Sequence, residues 1–309
     1  MLSRIAESLY WFGRHVERAE DTARILDVHY DLLLEDRWVD ETAACCALLD
    51  VMGLPDRVTD ECDSLQVTRA LAFDESYGGS ILGALGAAWD NARGAREAIS
   101  AEMWECVNGT HQLLPLRADA ARDQTPHDFF RWVKERSAIL AGLADSTMAR
   151  DDGWRFLVLG RSLERVDMTA RLLSARYGES WGQAGWVTTL RCCSAYEAYL
   201  QTYQRAVDAS LAAEFLVLDR LFPRSVFFAL RTAEECLAQL APGGGRAGLD
   251  DDARRLIGRA RTELEFRSTT DLLDDLPGHL FRLQRLCFEV GAAVGSRYFR
   301  AARPMEWIA

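Results

Sequence analysis

Two stretches of the sequence resemble each other and decide the fold. Residues 12–26 read FGRHVERAEDTARIL, and residues 159–173 read LGRSLERVDMTARLL. At an offset of 147 residues, eight of the fifteen positions are identical. The identical pairs are Gly13/Gly160, Arg14/Arg161, Glu17/Glu164, Arg18/Arg165, Thr22/Thr169, Ala23/Ala170, Arg24/Arg171 and Leu26/Leu173. Self-similarity at a fixed offset indicates two copies of one ancestral unit.

The similarity continues outside these two stretches. The same offset aligns Cys45-Cys46 with Cys192-Cys193, and an offset of 145 aligns Asp74 with Asp219 and Ser80 with Ser225. We therefore predict two repeated halves, residues 1–150 and 151–309, which we expect to form one fused helical domain.

Apolar residues recur at helical spacing almost everywhere, and sustained strand-like alternation is hard to find. Only seven prolines occur among 309 residues, so long helices are possible. We predict an all-α bundle of about ten helices. Breaks are expected near Arg37, Gly53-Leu54-Pro55, Tyr77-Gly78-Gly79, Leu114-Pro115, Asp151-Asp152-Gly153, Tyr177-Gly178, Phe222-Pro223, Pro242 to Gly248 and Leu276-Pro277.

The charge balance excludes several classes of protein. The formal net charge of −11 argues against a protein that coats nucleic acid or an anionic membrane. Lys134 is the only lysine, and it lies in no Schiff-base or P-loop motif. The longest apolar run, Ile81 to Trp89, is far too short to span a bilayer, and the first 20 residues do not resemble a signal peptide. We expect a cytoplasmic protein with reduced thiols.

No motif indicates a metal or a cofactor. The eight cysteines include no Cys-x-x-Cys pair, Glu-x-x-His is absent, and the five histidines are expected at helix surfaces or caps. Residues 243–248 satisfy Gly-x-Gly-x-x-Gly, but no strand precedes them, so we interpret them as a connector. We expect no metal and no bound cofactor; ATP, if it is used, would bind a partner protein.

Each copy of the repeat is predicted to be a helix with an apolar stripe and a wide Arg/Glu stripe. At about 100° per residue, Glu17, Arg18 and Arg24 lie away from the apolar side chains. Three interpretations of the charged stripe remain open. It can be a solvated face with Arg14–Glu17, Glu20–Arg24 and Asp167–Arg171 pairs, or a buried Arg–Glu lattice that sets the register of the two halves. Alternatively, both copies meet in one cleft where arginines bind an anion and a glutamate acts as a base.

A second cluster of polar residues occupies positions 91–108. It contains Asn91, Arg93, Arg96, Glu97, Glu102, Trp104 and Asn108. If the segment is one helix, one broad face can hold Arg93, Arg96, Glu97 and Asn108, with Trp104 and Ile99 turned elsewhere. Trp104 is expected to be a core residue more often than a ligand platform. We include Asn91, Arg93, Arg96, Glu102 and Asn108 among the candidate substrate-binding residues.

The sequence resembles the Alpha-E family of bacterial all-helical domains, which is named for its Glu-Arg motifs. The resemblance rests on the start MLSRIAESLYWFGR-x-x-ERAE at residues 1–20, on the NAR-x-x-R and E-x-W-E-x-x-N segments at residues 91–108, and on the second G-R-x-x-E-R at residues 160–165. It covers essentially the whole chain.

The resemblance implies gene neighbourhoods with circularly permuted ATP-grasp proteins, transglutaminase-like proteases and sometimes proteasome-like amidases. We therefore expect a component of an ATP-grasp-associated system that forms amide or peptide bonds. In this hypothesis the chain binds an anionic acyl or phosphorylated intermediate, small molecule or peptide, with an ATP-grasp and a transglutaminase-like protein as partners. Glu17 and Glu164 are the candidate catalytic residues. The other candidate binding residues are Arg14, Arg18, Arg24, Arg161, Arg165 and Arg171. The alternative hypothesis is a non-catalytic helical scaffold that docks an ATP-grasp or transglutaminase-like partner.

Overall fold

The prediction of an all-α fold is confirmed. A computed structural model describes residues 1–35, 39–54, 62–123, 126–177, 182–241 and 250–299. Within these ranges there is no β-strand. The connector predicted between Pro242 and Gly248 lies outside the described residues.

The described residues form fourteen α-helices. They are α1 (Ser3–Glu35), α2 (Glu41–Val51), α3 (Ser64–Thr68), α4 (Ile81–Gly94), α5 (Ala101–Asp123), α6 (His127–Thr147), α7 (Asp152–Tyr177), α8 (Gly182–Cys192), α9 (Tyr196–Tyr203), α10 (Ala209–Leu218), α11 (Val226–Leu240), α12 (Asp252–Glu265), α13 (Thr269–Asp274) and α14 (Leu276–Val294). Segments Arg69–Phe73 and Gly295–Phe299 are π-helical, and Arg96–Ala98 is a 3₁₀ turn.

The number of helices is somewhat higher than the predicted ten, because short helices such as α3, α9 and α13 lack strong periodicity of their own. One predicted break is wrong. Helix α5 continues through Pro115. A proline removes one backbone hydrogen bond from a helix. The neighbouring Leu113 and Leu116 are exposed, so water can reach this part of the helix backbone.

Helices α4 and α11 begin in the same way, 145 residues apart. The hydroxyl oxygens of Ser80 and Ser225 accept the backbone N–H of the third residue of each helix. Each hydroxyl also donates to a carbonyl oxygen six residues earlier, that of Asp74 at 2.6 Å and that of Asp219 at 2.5 Å. The two loops before α4 and α11 therefore present their backbones to the core in equivalent ways.

The long helices α1 and α7 cross at two glycines. An ideal Cβ on Gly13 would lie 2.1 Å from the carbonyl oxygen of Leu157, and one on Gly160 would lie 2.0 Å from that of Tyr10. The two contacts exchange under the 147-residue offset, because Tyr10 aligns with Leu157. Only glycine allows the two backbones to approach this closely. The repeated Gly-Arg sequence thus places the repeated charges directly beside the crossing.

The apolar core extends across the predicted boundary at residue 150. Helix α1 packs against α7, α4 and α6, while α7 also packs against α11 and α14. The larger cluster of buried side chains contains both Leu9 and Leu163, and the smaller one contains both Leu26 and Met168. Neither cluster separates the halves. The division into residues 1–150 and 151–309 remains a prediction.

No helix in the described ranges combines the length and the apolar character that a membrane crossing requires.

The helix crossing provides a test of this packing. We expect Gly13→Ala to lower the free energy of unfolding by about 3 kcal/mol or more, because the new methyl group meets a backbone carbonyl rather than a movable side chain. Gly142→Ala is the control, since its Cβ would meet nothing within 4 Å and α6 should become slightly more stable. Urea denaturation of both variants measures the difference, and equal stabilities would contradict the close crossing.

Candidate functional site

Glu164 of α7 is buried and held by two arginines of α1. Nε of Arg14 donates to Oε2 of Glu164 at 2.6 Å. Nε of Arg18 donates to Oε1 at 2.6 Å, and its Nη2 donates to Oε2 at 3.1 Å. Burial alone would raise the pKa of Glu164, but Arg14 and Arg18 lower it to about 2. The carboxylate is therefore ionised and its lone pairs are engaged.

Glu17 of α1 has the equivalent position facing α7. Nε of Arg165 donates to Oε1 of Glu17 at 2.7 Å. A second cation, Nη1 of Arg224, lies 2.8 Å from the same oxygen. Burial opposes ionisation of Glu17, yet Arg224 and Arg165 together hold its pKa below the ordinary value.

Arg224 is the centre of a larger cluster on this side. Besides Glu17, it contacts Oε1 of Glu20 at 2.7 Å and forms a short hydrogen bond with Asp21. Glu20 also pairs with Arg24, whose Nη1 donates to Ser194 at 3.1 Å. We call Glu17, Glu20, Asp21, Arg24, Arg165 and Arg224 the filled site.

Asp21 has an unusual environment within the filled site. Its Oδ2 is buried and has no hydrogen-bond partner among the described parts of the chain. Burial and the neighbouring carboxylates of Glu17 and Glu20 raise its pKa to about 7, although Arg224 opposes the shift.

The other two repeated arginines of the second copy, Arg161 and Arg171, have different surroundings. Arg171 pairs with Asp167, with Nε 2.9 Å from Oδ2. Arg161, the counterpart of Arg14, makes no side-chain hydrogen bond with the residues that the structure describes. Burial and the charge of Arg165 lower the pKa of Arg161, while Glu17 raises it.

These positions discriminate among the three interpretations of the charged stripe. The solvated-face interpretation is wrong for the two glutamates, because Glu17 and Glu164 are each only 2% exposed. The predicted Glu20–Arg24 and Asp167–Arg171 pairs are present, but Arg14 pairs across the helix crossing with Glu164 and not with Glu17. The lattice interpretation describes the geometry best.

A cavity of about 320 Å³ lies beside Glu164. Its charged lining residues are Arg18, Glu164, Asp167 and Arg171. The rest of its lining is Val51, Met52, Tyr77, Gly78, Gly79 and Met168. We call it the Glu164 cavity. Three residues that the sequence predicts as site residues, Arg18, Glu164 and Arg171, therefore line one cavity. The charge of Glu164 is already neutralised there by arginines.

The second predicted cluster is not one helix. Helix α4 ends at Gly94, and α5 begins only at Ala101, where Ser100 Oγ accepts the N–H of Met103 at 3.1 Å. The helical face predicted for Arg93, Arg96 and Asn108 is therefore wrong, because we overlooked the Ser100 cap.

The members of this cluster contact each other or their own helices. Asn108 accepts from Nε1 of Trp89 at 3.2 Å, and Arg93 lies 4.6 Å from the centre of the Trp89 ring. The Arg96 guanidinium lies 5.4 Å from the Trp104 ring centre. Asn91 donates to Ala87 O in its own helix, and Glu102 is exposed. No hydrogen bond or ion pair in the described ranges connects the cluster with the Arg/Glu lattice.

Sequence reasoning missed Arg224 and Asp21. Arg224 lies outside the repeated helix, directly before the Ser225 cap of α11. The 145-residue offset that aligned Ser80 with Ser225 also aligns Gly79 with Arg224, so the sequence did carry a signal for this difference. Asp21 of the first copy aligns with Met168 of the second, so the two charged stripes differ at this position.

Among the described residues, no group of three His, Cys, Asp or Glu side chains has an arrangement suited to a metal ion. The histidine prediction is wrong for His29 and His279, which are buried. Burial lowers the pKa of His29 to about 4, so this side chain is neutral at pH 7.

A family model confirms the resemblance. The model of Alpha-E, described as a predicted alpha-helical domain with a conserved ER motif, matches residues 1–299. The chain belongs to the Alpha-E family. Its Glu17-Arg18 and Glu164-Arg165 sequences fit that description, and both lie at the crossing of α1 and α7.

The chain is also similar to uncharacterized proteins of Mycobacterium bovis and Mycobacterium tuberculosis. Each is 23% identical over 298 residues, which cover 88% of this chain and 33% of the relative. The Alpha-E chain thus spans about a third of the length of the curated relatives it matches. No solved structure matches it.

The lattice can be tested by removing one of its carboxylates. We expect Glu164→Gln to lower the free energy of unfolding by about 3–5 kcal/mol, because Arg14 and Arg18 would remain buried without their counter-charge. The control is Asp128→Asn in an exposed pair with Arg131, which should cost less than about 1 kcal/mol. If Glu164→Gln melts like the wild type, the carboxylate is not structural.

Asp21 should make stability depend on pH near neutrality. Its pKa is about 7 in the folded state and about 4 in the unfolded chain, so the folded state binds the proton more tightly. This contribution to stability is complete below pH 4 and is lost as the pH rises to 7 and above. In urea denaturation, Asp21→Asn should therefore gain stability relative to the wild type between pH 4 and 8. A constant difference over this range would contradict the raised pKa.

Proposed function

We propose that this Alpha-E chain is a helical component of an ATP-grasp-associated system that forms amide or peptide bonds, and that its own part is to dock the partner rather than to catalyse. The observation that carries the docking role is the state of the two motif glutamates. Both are buried, ionised and hydrogen-bonded to arginines of the opposite helix. A general base needs a pKa near the working pH, whereas the pKa of Glu164 is about 2 and three N–H groups of Arg14 and Arg18 already occupy its oxygens.

The length of the relatives supports a role beside another polypeptide. About two thirds of each mycobacterial relative lies outside the region similar to this chain. A domain that occurs within longer chains has neighbouring domains with which it can pack. The ATP-grasp and transglutaminase-like partners themselves come from the gene neighbourhoods that the family resemblance implies.

The second candidate function is binding of a small carboxylate-bearing substrate or acyl intermediate, and the Glu164 cavity favours it. Arg18 and Arg171 both line the cavity. With the residues that the structure describes, Arg171 forms a hydrogen bond through Nε alone, and Nη1 of Arg18 makes only a 3.4 Å contact with Gly78 O. These guanidinium groups therefore retain N–H donors for a carboxylate.

A reconstituted system separates docking from catalysis. The chain is mixed with an ATP-grasp protein from its gene neighbourhood, co-purification is measured, and ATP-dependent amide formation is followed as ADP release with and without the chain. We expect a stable complex and an activity that depends on the chain. Failure to form a complex under conditions in which both proteins are folded would contradict the docking role.

The double variant Glu17→Gln/Arg165→Met tests whether Glu17 is catalytic. It removes one buried charge of each sign, and the glutamine amide can still accept from Arg224. We expect the folded variant to support ADP release at close to the wild-type rate. A loss of two or more orders of magnitude in a variant that still folds and binds the partner would restore the catalytic assignment.

A further inference from the structure

The two motif glutamates have equivalent backbone surroundings. The hydroxyl of Thr22 donates to Gly79 O at 3.3 Å, and that of Thr169 donates to Arg224 O at 3.0 Å. Thr22 and Thr169 are related by the 147-residue offset, and Gly79 and Arg224 by the 145-residue offset. The loop before α4 therefore approaches Glu164 as the loop before α11 approaches Glu17.

The side chains on these equivalent backbones differ at two positions. On the Glu17 side, Arg224 inserts its guanidinium between carboxylates and contacts Asp21. On the Glu164 side, glycine and methionine occupy the corresponding positions, Gly79 and Met168. The Glu164 cavity is lined by both of these residues. A buried ion pair in the filled site thus corresponds to an open space on the other side.

The charges of the lining restrict what can occupy this space. Arg18 and Arg171 contribute two positive charges, and Glu164 and Asp167 contribute two negative charges, so the lining is neutral. In the filled site, the Arg224–Asp21 pair is neutral as well when Asp21 is ionised. An occupant that replaces this pair brings one donor group and one acceptor group with no net charge. Arg14, which also holds Glu164, adds one positive charge outside the lining, and its counterpart Arg161 adds the same charge near Glu17, so the two sides still differ only by a neutral pair.

The polar atoms of the cavity match such an occupant. Glu164 already accepts three N–H groups from Arg14 and Arg18. Asp167 uses Oδ2 for its hydrogen bond with Arg171. Glu20, the counterpart of Asp167 in the filled site, pairs with Arg24 and also with Nη2 of Arg224. Among the described residues, Asp167 therefore has one ion-pair partner where Glu20 has two, and burial raises the pKa of Asp167.

We propose that the Glu164 cavity binds a small α-amino acid as its zwitterion. The ammonium group lies at Asp167, in place of the Arg224 guanidinium, and the carboxylate lies against the N–H groups of Arg18 and Arg171. This proposal rests on the second candidate function and specifies its ligand class: an amino acid carries both the amine and the carboxylate that amide formation consumes.

Calorimetric titration of the full chain, without any partner protein, tests the ligand class. The probe is L-alanine, and the matched probes are propionate, which lacks the ammonium group, and ethylamine, which lacks the carboxylate. Inorganic phosphate is the fourth probe. We expect L-alanine to bind at least about tenfold more tightly than each of the other three, since each charge-assisted contact contributes about one decade of affinity.

Each alternative outcome overturns the proposal in a recognisable way. Propionate or phosphate binding as tightly as L-alanine identifies an anion site, and ethylamine binding as tightly identifies a cation site. Absence of binding by all four probes removes the amino-acid site but leaves complex formation with the ATP-grasp partner untouched. Conversely, L-alanine binding by a chain that does not dock the partner leaves this proposal standing and contradicts the docking role.

A matched pair of variants locates the site. Arg171→Gln removes one carboxylate contact in the cavity and should weaken L-alanine binding about tenfold. Arg24→Gln is the same change at the position related by 147 residues, in the filled site, and should leave the affinity unchanged. Thermal melting verifies that both variants are folded. Equal losses of affinity in the two variants would place the ligand outside the Glu164 cavity. If Arg171→Gln does not fold, Asp167→Asn replaces it, with Glu20→Gln as its counterpart.

Discussion

Two buried carboxylates at the crossing of α1 and α7 determine how the rest of the molecule is arranged. Glu17 and Glu164 can be ionised in the interior only because arginines of the opposite helix, joined by Arg224 at Glu17, neutralise them. The arginines reach them only because Gly13 and Gly160 let the two backbones touch. The glycine crossing and the Arg–Glu ion pairs therefore depend on each other. The orientation of α1 relative to α7 is set by these ion pairs as well as by apolar packing. The hydrophobic core then extends through both sequence repeats without a boundary between them.

The lattice is nearly symmetric, and the Glu164 cavity lies where the two sides differ. Arg224 closes the Glu17 side by contacting three carboxylates, while Gly79 leaves the Glu164 side open. The two similar sequence stretches form two equivalent polar environments, of which one is filled by the protein itself. The other retains charged groups of both signs around a cavity large enough for a small molecule. Structural and binding roles are thus compatible within the same pair of helices.

Much of the fold could be predicted because it follows from local pattern. Helical periodicity and rare prolines gave the all-α class, and the 147-residue offset identified the residues that meet at the crossing. Errors arose where a local signal was overlooked or overruled. The Ser100 cap divides the segment around Arg93 and Asn108, which we treated as one helix, whereas α5 continues through Pro115. The predicted Arg14–Glu17 pair is also wrong. Glu17 is a possible partner within α1, but in the folded protein Arg14 pairs with Glu164 of α7.

The helical class, the repeat and the matched Gly, Arg and Glu positions could be predicted from the sequence, since they depend on spacing along one chain. Three features follow from tertiary packing alone: the burial of the glutamates, their neutralisation by arginines of the other helix with Arg224 added at Glu17, and the filling of one side by Arg224 while the other stays open. The physical reason is that burial and ion pairing depend on which distant segments come together. Residues 14 and 164, or 21 and 224, become neighbours only when these distant segments pack against each other.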